Sequence, residues 1–283
     1  MKILETAAAM LSASRQARRY GKRLGFVPTM GALHEGHLSL VRAARKRCDA
    51  VAVSIFVNPT QFAPHEDFSI YPHDLERDRA LLENEHVDFL FAPAASEIYP
   101  GGSATWVSVD ALADRLCGKS RPGHFRAVAT VVAKLFHIVE PDIAVFGQKD
   151  AVQVAVIRRM IRDLNFPIEL EACPIVREPD GLAMSSRNAY LASGERRQAL
   201  VLRRSLLEVE RQFDAGERDS ATLIAAATKI FAAESEVRLD YFEIVDPATL
   251  IPLPEITNQA LVAVAAHVGA TRLIDNITLS AQP

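Results

Sequence analysis

Apolar positions along the first 176 residues fall into two rhythms that alternate. Ile3 to about Tyr20 has helical periodicity, with Gly21 as its stop. Leu24–Pro28 is a short apolar run that reads as a buried strand. His37–Cys48 then places Leu38, Val41, Ala44 and Arg45 at helical spacing with a basic outer face. Ala50–Val57 is rich in β-branched residues and stops at Asn58-Pro59. Leu75–Glu85 is helical again and Val87–Ala92 strand-like. His124–Val139 and Ala151–Leu164 predict helices, while Ile143–Phe146 and Ile168–Val176 predict strands. This alternation predicts an α/β fold, a parallel sheet with helices on both faces. Such sheets bind ligands at the carboxyl ends of their strands, near a switch in strand order. The loops to inspect are therefore Pro28–His37, Asn58–Asp67, Gly147–Asp150 and Arg177–Asn188.

Beyond Val176 the texture changes. Arg177-Glu178-Pro179-Asp180-Gly181 is polar and turn-forming. Helical patterns follow over Ser193–Phe213, ending near Gly216, and over Ala221–Ala233. Strand-like runs come next at Leu239–Val245 and Gln259–Val268. The expected division is residues 1–176, binding nucleotide and acid substrate, and residues 177–283, a smaller α+β domain.

The chain has 283 residues, 49% hydrophobic and 24% charged, with a formal charge of −3. That composition suits a globular fold and gives no general affinity for nucleic acid, which needs a basic face. Three scattered cysteines, Cys48, Cys117 and Cys173, form no C-x-x-C pair and fit a reducing compartment better than a disulfide framework or zinc site. No run reaches the roughly 18 apolar residues of a membrane span. The stretch Ala7–Leu11, interrupted before by Glu5 and followed by Arg15, reads as an amphipathic helix rather than a signal peptide. The expected location is the cytoplasm.

Candidate chemistry lies at the predicted strand ends. Pro28-Thr29-Met30-Gly31-Ala32-Leu33-His34-Glu35-Gly36-His37 runs from a strand into a helix start, where unpaired backbone N–H groups attract anions. Gly31 and Gly36 permit close backbone approach to a phosphate, and His34 and His37 project from the first helical turn toward one ligand. A pair of surface histidines in a tight turn would carry the same letters. A zinc site lacks a third ligand. In Gly147-Gln148-Lys149-Asp150 the lysine can neutralise a phosphate as a point charge, or simply stand in solvent. Gln153, one turn on, faces the same cleft. Met184-Ser185-Ser186-Arg187-Asn188 offers two hydroxyls and a guanidinium as a triphosphate clamp, though Ser-Ser-Arg alone is common. The amides of Asn58-Pro59-Thr60-Gln61-Phe62 suit a small hydroxy acid or amino acid, and also a capped turn. Arg121-Pro122-Gly123-His124-Phe125-Arg126 is a basic helix start that adds positive charge or is merely solvated.

In order and spacing these five motifs together resemble the pantothenate synthetase (pantoate–β-alanine ligase) family over essentially the whole chain, more weakly after Asn188. The resemblance implies a Rossmann-like nucleotidyltransferase domain related to class I aminoacyl-tRNA synthetases. His34-Glu35-Gly36-His37 resembles their HIGH element, and Met184-Ser185-Ser186-Arg187 stands where they carry KMSKS. It further implies that ATP lies along Met30, Gly31, Ala32, Leu33, His34, Glu35, Gly36 and His37, along Gly147, Gln148, Lys149 and Asp150, and along Val176, Met184, Ser185, Ser186 and Arg187. Gln61 would contact pantoate and β-alanine, and Gln153 pantoate. Mg²⁺ would be required and a homodimer expected, with no nucleic-acid or membrane partner. The protein ligands of the metal are unassigned. His73-Asp74, where the family often has Arg-Thr, leaves open a metal role for Tyr71–Asp78. Ala127 stands where glycine is frequent.

The implied reaction is attack of the pantoate carboxylate on the α-phosphate of ATP, release of pyrophosphate, then capture of the acyl-adenylate by the β-alanine amine. Its first barrier is largely electrostatic. His37, His34 and Lys149 are the candidate catalytic groups, with His37 as proton donor or charge stabiliser. Two alternatives compete: a nucleotidyltransferase that keeps the adenylyl group on its product, and a non-catalytic nucleotide-binding regulator. The first would form no amide; the second has no use for two histidines beside Gln61 and Gln153. A tRNA-binding role is disfavoured by the charge of −3 and the lack of an anticodon-sized domain.

Overall fold

The hydroxyl of Thr6 accepts a hydrogen bond from Ala9 N at 3.2 Å and so caps the first helix. The chain therefore enters a strand, β1 (Lys2–Leu4), before α1 (Ala7–Arg19), instead of one helix from Ile3. This computed structural model describes residues 1–63, 68, 71, 73–234 and 236–281. There follow β2 (Leu24–Thr29), α2 (Glu35–Arg47), β3 (Ala50–Ile55), α3 (Leu75–Asn84), β4 (Phe89–Phe91) and two short helices, α4 (Ala95–Ile98) and α5 (Cys117–Ser120). Then come α6 (His124–Val139), β5 (Ile143–Gly147), α7 (Ala151–Asp163) and β6 (Glu169–Cys173). The last strand is shorter than its apolar run because Pro174 has no N–H to continue the ladder.

These strands form one parallel sheet in the order β1-β4-β3-β2-β5-β6. Side chains alternate across it as the period of two requires. Phe26, Ala52 and Ala144 join α1, α6 and α7 in one core, whereas Val27, Val53 and Val145 meet α2 in the other. Helices thus cover both faces. From β2 the chain works outward through β3 and β4 in one direction, and β5 and β6 lie in the other, so the switch point falls between β2 and β5. Pairing of those two strands comprises Gly25↔Ile143 and Phe26↔Ala144 and stops there. The β2–β3 register, by contrast, runs from Leu24↔Ala50 to Thr29↔Ile55.

The remainder contains α8 (Ser193–Ala199), α9 (Val201–Asp214), α10 (Ser220–Phe231), β7 (Val237–Val245), β8 (Gln259–Val268) and β9 (Thr271–Ser280). The single helix expected over Ser193–Phe213 is divided at Leu200, whose ψ of −13° departs from the helical value. The three strands form a small antiparallel sheet with β8 at its centre. One face packs on α9 and α10 through Val262, Val264, Leu206 and Leu223. From the other side, Leu261 and Ala263 belong to the same core as Phe125 and Val128 of α6. β9 is not evident in the periodicity, because Asp275 and Asn276 interrupt its apolar pattern. Both are nevertheless buried.

Candidate active site

The loop from β2 into α2 is shaped by two left-handed residues, Gly31 (φ 82°) and Ala32 (φ 52°). A β-carbon on Gly31 would lie 3.1 Å from an Asp78 carboxylate oxygen, so both its φ and its surroundings favour glycine. Asp78 reaches in from α3 and accepts from Leu33 N at 2.8 Å. It is 1% exposed, and burial pushes its carboxyl up from the ordinary value. Asp78 therefore pins the loop from below, a role its position in an exposed-looking charged helix did not disclose.

His34 does not lie within the first helical turn; it is the N-cap of α2, and His37 is the third helical residue. His34 Nδ1 accepts from Gly36 N at 3.2 Å, and His37 Nδ1 accepts from His34 N at 3.4 Å. The two imidazoles thus close a reciprocal capping box, with ring centroids 4.2 Å apart. Since each Nδ1 is an acceptor, the proton of each neutral ring sits on Nε2. Burial, then the charge of Lys149, lowers His34 to about 4. Burial, then His34 and Lys149, lowers His37 to about 3. At neutral pH both rings are uncharged donors through Nε2–H. Gly36 has a second reason for its identity: a β-carbon there would stand 2.8 Å from the His34 ring.

β5 delivers the second motif. A 3-10 turn, Gln148–Asp150, follows the strand and leads directly into α7, which carries Gln153. Lys149 Nζ lies 3.8 Å from an Asp150 carboxylate oxygen. The turn is held from β9: Asn276 Nδ2 donates to the carbonyls of Gln148 and Lys149, both at 3.0 Å.

The serine loop is anchored at its base. Met184 N donates to Val176 O at 3.0 Å, and Arg177 bridges to Ala183. Asn188 Nδ2 donates to Glu178 Oε1 at 2.6 Å and Ala183 O at 3.1 Å. Arg196 grips Glu178 and Asp180 at 2.6 and 2.8 Å. Ser185 accepts from Arg187 N and caps the following 3-10 turn.

Gln61 sits on the turn after β3. Asn58, 1% exposed, donates to Gln61 Oε1 at 3.2 Å, and Gln61 Nε2 reaches Met30 Sδ at 2.7 Å. His124 Nδ1 meets Gln61 O at 2.9 Å, and Arg121 meets His124 Nε2 at 3.0 Å. The basic turn before α6 therefore braces the amide turn. Residues 64–67 of the Asn58–Asp67 loop, and Pro72 of the Tyr71–Asp78 segment, lie outside the described residues.

A cavity of about 230 Å³ gathers these pieces. Its lining takes Met30, His34, Gly36 and His37 from the first motif, Gly147, Lys149, Asp150 and Gln153 from the second, Val176, Met184, Ser185, Ser186 and Arg187 from the serine loop, and Gln61. Five sequence candidates stand outside the wall. Gly31, Ala32 and Leu33 shape the loop beneath it, with Leu33 buried in the core. Glu35 turns away to pair with Arg42, and the Gln148 side chain meets Asn276. A wider cavity of about 680 Å³ shares Lys149, Asp150, Gln153, Ser185 and Arg187 and continues toward α5 and β9.

Among the described residues no group of three or more His, Cys, Asp or Glu is placed to hold a metal. The only acidic side chain in the wall of the smaller cavity, among those residues, is Asp150. A magnesium ion carried on nucleotide phosphates needs only one or two protein carboxylates, so this donor set fits such an ion and not a self-contained metal centre. No helix among the described residues is long and apolar enough to cross a membrane.

A family model described as pantoate-beta-alanine ligase matches residues 2–278. A pantothenate synthetase from Acidobacterium capsulatum is 58% identical over 294 aligned positions, spanning 100% of this chain and 98% of that protein. One from Thermotoga petrophila is 56% identical, spanning 99% and 100%. Among solved structures, pantothenate synthetase from Thermus thermophilus superposes with a TM-score of 0.93 at 48% identity, covering 98% of this chain and 99% of that one. Pantoate-beta-alanine ligase from Francisella tularensis, complexed with beta-gamma ATP and beta-alanine, gives 0.79 at 35% identity, covering 98% and 97%.

Proposed function

The chain belongs to the pantoate–β-alanine ligase family, and from that premise we propose how its cleft performs the reaction. The enzyme is an ATP-dependent ligase that condenses pantoate with β-alanine to form pantothenate. The reaction passes through a pantoyl-adenylate, with release of pyrophosphate and then AMP. The observation that carries this reading is convergence: the imidazole pair, Lys149, the serine–arginine loop and two glutamines face one cavity at the β2/β5 switch point.

In the first step two anions must meet, so positioning and charge neutralisation supply most of the rate. His34 and His37, neutral and protonated on Nε2, donate to phosphate oxygens as charge builds there. A positioned donor of this kind is worth about 3 kcal/mol at the transition state. Burial and the Lys149 charge favour the neutral rings, so hydrogen-bond donation is the role their surroundings support. Lys149 brings the positive charge, as a compact ammonium, to the departing pyrophosphate. Ser185, Ser186 and Arg187 clamp the triphosphate tail. Asp150 would help hold a nucleotide-borne Mg²⁺, which would supply further charge neutralisation. In the second step Gln61 orients the amine against the activated acyl group, while Gln61 and Gln153 hold the pantoyl moiety.

The functional division at residue 176 belongs to the same reading: the part before it carries the imidazoles, Lys149 and both glutamines, and the part after it the phosphate clamp. A cytoplasmic location is supported by three free, buried thiols, and a homodimer by the resemblance to the family. The test is AMP formation from ATP and pantoate with and without β-alanine. This reading requires AMP and pantothenate in equal amounts and only with the amine present. An adenylylated product that accumulates and never yields amide would assign the chain to nucleotidyltransferases instead.

A further inference from the structure

Asn276 is 3% exposed in the middle of β9, on the opposite side of the chain's sequence from the residues it holds. Both hydrogens of its amide are engaged, one with the carbonyl of Gln148 and one with that of Lys149, at 3.0 Å each. Its Oδ1 accepts from Gln148 Nε2 at 3.4 Å. Its own backbone N–H donates to Asp275 Oδ1 at 2.8 Å, and Asp275 is in turn gripped by Arg177. A 3-10 turn of three residues leaves carbonyls without helical partners. Half-buried between a strand end and a second sheet, these two are better satisfied than left unpaired. Asparagine answers both at once, where a hydroxyl could answer one.

We propose that Asn276 is a positioning residue for Lys149: by fixing two consecutive carbonyls of the Gln148–Asp150 turn, it sets where the Lys149 ammonium stands in the cleft. The inference rests on the reading of Lys149 as a catalytic group. Lys149 itself has a loose ion pair with its neighbour Asp150, at 3.8 Å, which leaves the ammonium dependent on its backbone for placement. The lysine's charge is also felt at both imidazoles across the cavity, so a displaced ammonium would alter the electrostatics of the whole phosphate site. Through Asp275 and Arg177 the same strand reaches the base of the serine loop, so one β9 dipeptide registers both phosphate-binding loops against each other.

A double-mutant cycle on single-turnover pyrophosphate release tests this. The four proteins are wild type, Asn276→Ala, Lys149→Ala and the double variant, with folding checked by circular dichroism. A misplacement of about 1 Å can cost on the order of 100-fold in rate, so Asn276→Ala is expected to slow release roughly 10- to 100-fold. In the Lys149→Ala background the same substitution is expected to cost less than about twofold, within the scatter of such cycles. An equal cost in both backgrounds overturns the proposal, because Asn276 would then act by some route other than the lysine. Wild-type rates in Asn276→Ala, with Lys149→Ala slow, overturn it as well while sparing the role of Lys149. If Lys149→Ala is itself as fast as wild type, the catalytic reading of the lysine fails first. Asn276→Ser, which keeps one donor, is expected to fall between wild type and alanine, and it carries the same cycle if the alanine variant does not fold.

Discussion

Arg177 grips Asp275 through two nitrogens, at 2.7 and 2.9 Å, joining the base of the serine loop to β9. The Asp275 side chain is 2% exposed and that of Arg177 19%. Arg177 also donates to Gly181 O at 3.1 Å, so the guanidinium ties the loop's turn to the small sheet. Removing one partner of a buried pair leaves an uncompensated charge, which typically costs about 3–5 kcal/mol. Asp275→Ala is therefore expected to lower stability by about 3 kcal/mol, read as a shift of the urea midpoint. An unchanged midpoint would remove this pair from the account of how the two parts are joined.

His37→Ala and Lys149→Ala are each expected to slow adenylate formation by about 100-fold or more, the scale of losing a positioned donor or charge. Single-turnover pyrophosphate release reads the step directly. Rates near wild type in both variants would dismantle the phosphate-site assignment.

Gln61→Ala is expected to raise the KM for pantoate and for β-alanine while leaving ATP affinity within about twofold, since its amide, held by Asn58 and Met30, suits a small acid or amine and carries no charge for a phosphate. Steady-state kinetics with each substrate varied in turn decides the matter. A matching loss of ATP affinity would count against the amide's role.

His37→Gln separates folding from chemistry. Glutamine at the third helical position can still reach back to the N-cap N–H, so α2 keeps its start. Both histidines have folded-state values below the ordinary 6.5, at about 4 and about 3. The fold accommodates the neutral rings, so their contribution to stability is complete above pH 6.5 and fades as pH falls toward those values. Around them stand Lys149, Arg77, Asp150 and Glu178, the charges that act on His34. Replacing His37 is expected to flatten the loss of stability between pH 6.5 and 4, measured as urea midpoint against pH, while slowing adenylate formation. An acid limb identical to wild type would show that His37 does not titrate out of the folded state as its surroundings require.

Five strands of the parallel sheet were legible because their apolar runs stop at or near proline, glycine or asparagine, as at Pro28 and Asn58-Pro59, whereas β1 was absorbed into the helix expected from Ile3. The five motifs were legible as a set because their order is specific to one family. What escaped was long-range support. Asp78 looks like one more acid in the charged helix Leu75–Asn84, and only the fold shows it buried under Leu33. Asn276 lies in a strand whose polar residues hide its periodicity, and its partners are more than a hundred residues earlier. Gly36 was read as room for a phosphate, whereas the nearer constraint is the His34 ring. Sequence displays groups that face a ligand, but the groups that hold them are revealed only by burial and distance.

Past Phe26 and Ala144 the two central strands stop pairing with each other. On the proposed assignment the working gap is a place where the sheet comes unzipped, and substrates would enter where backbone could otherwise have bonded to backbone. Any change that extended that ladder toward Thr29 and Gly147 would strengthen the scaffold and evict the reactants together. Robustness and turnover compete for the same few ångströms.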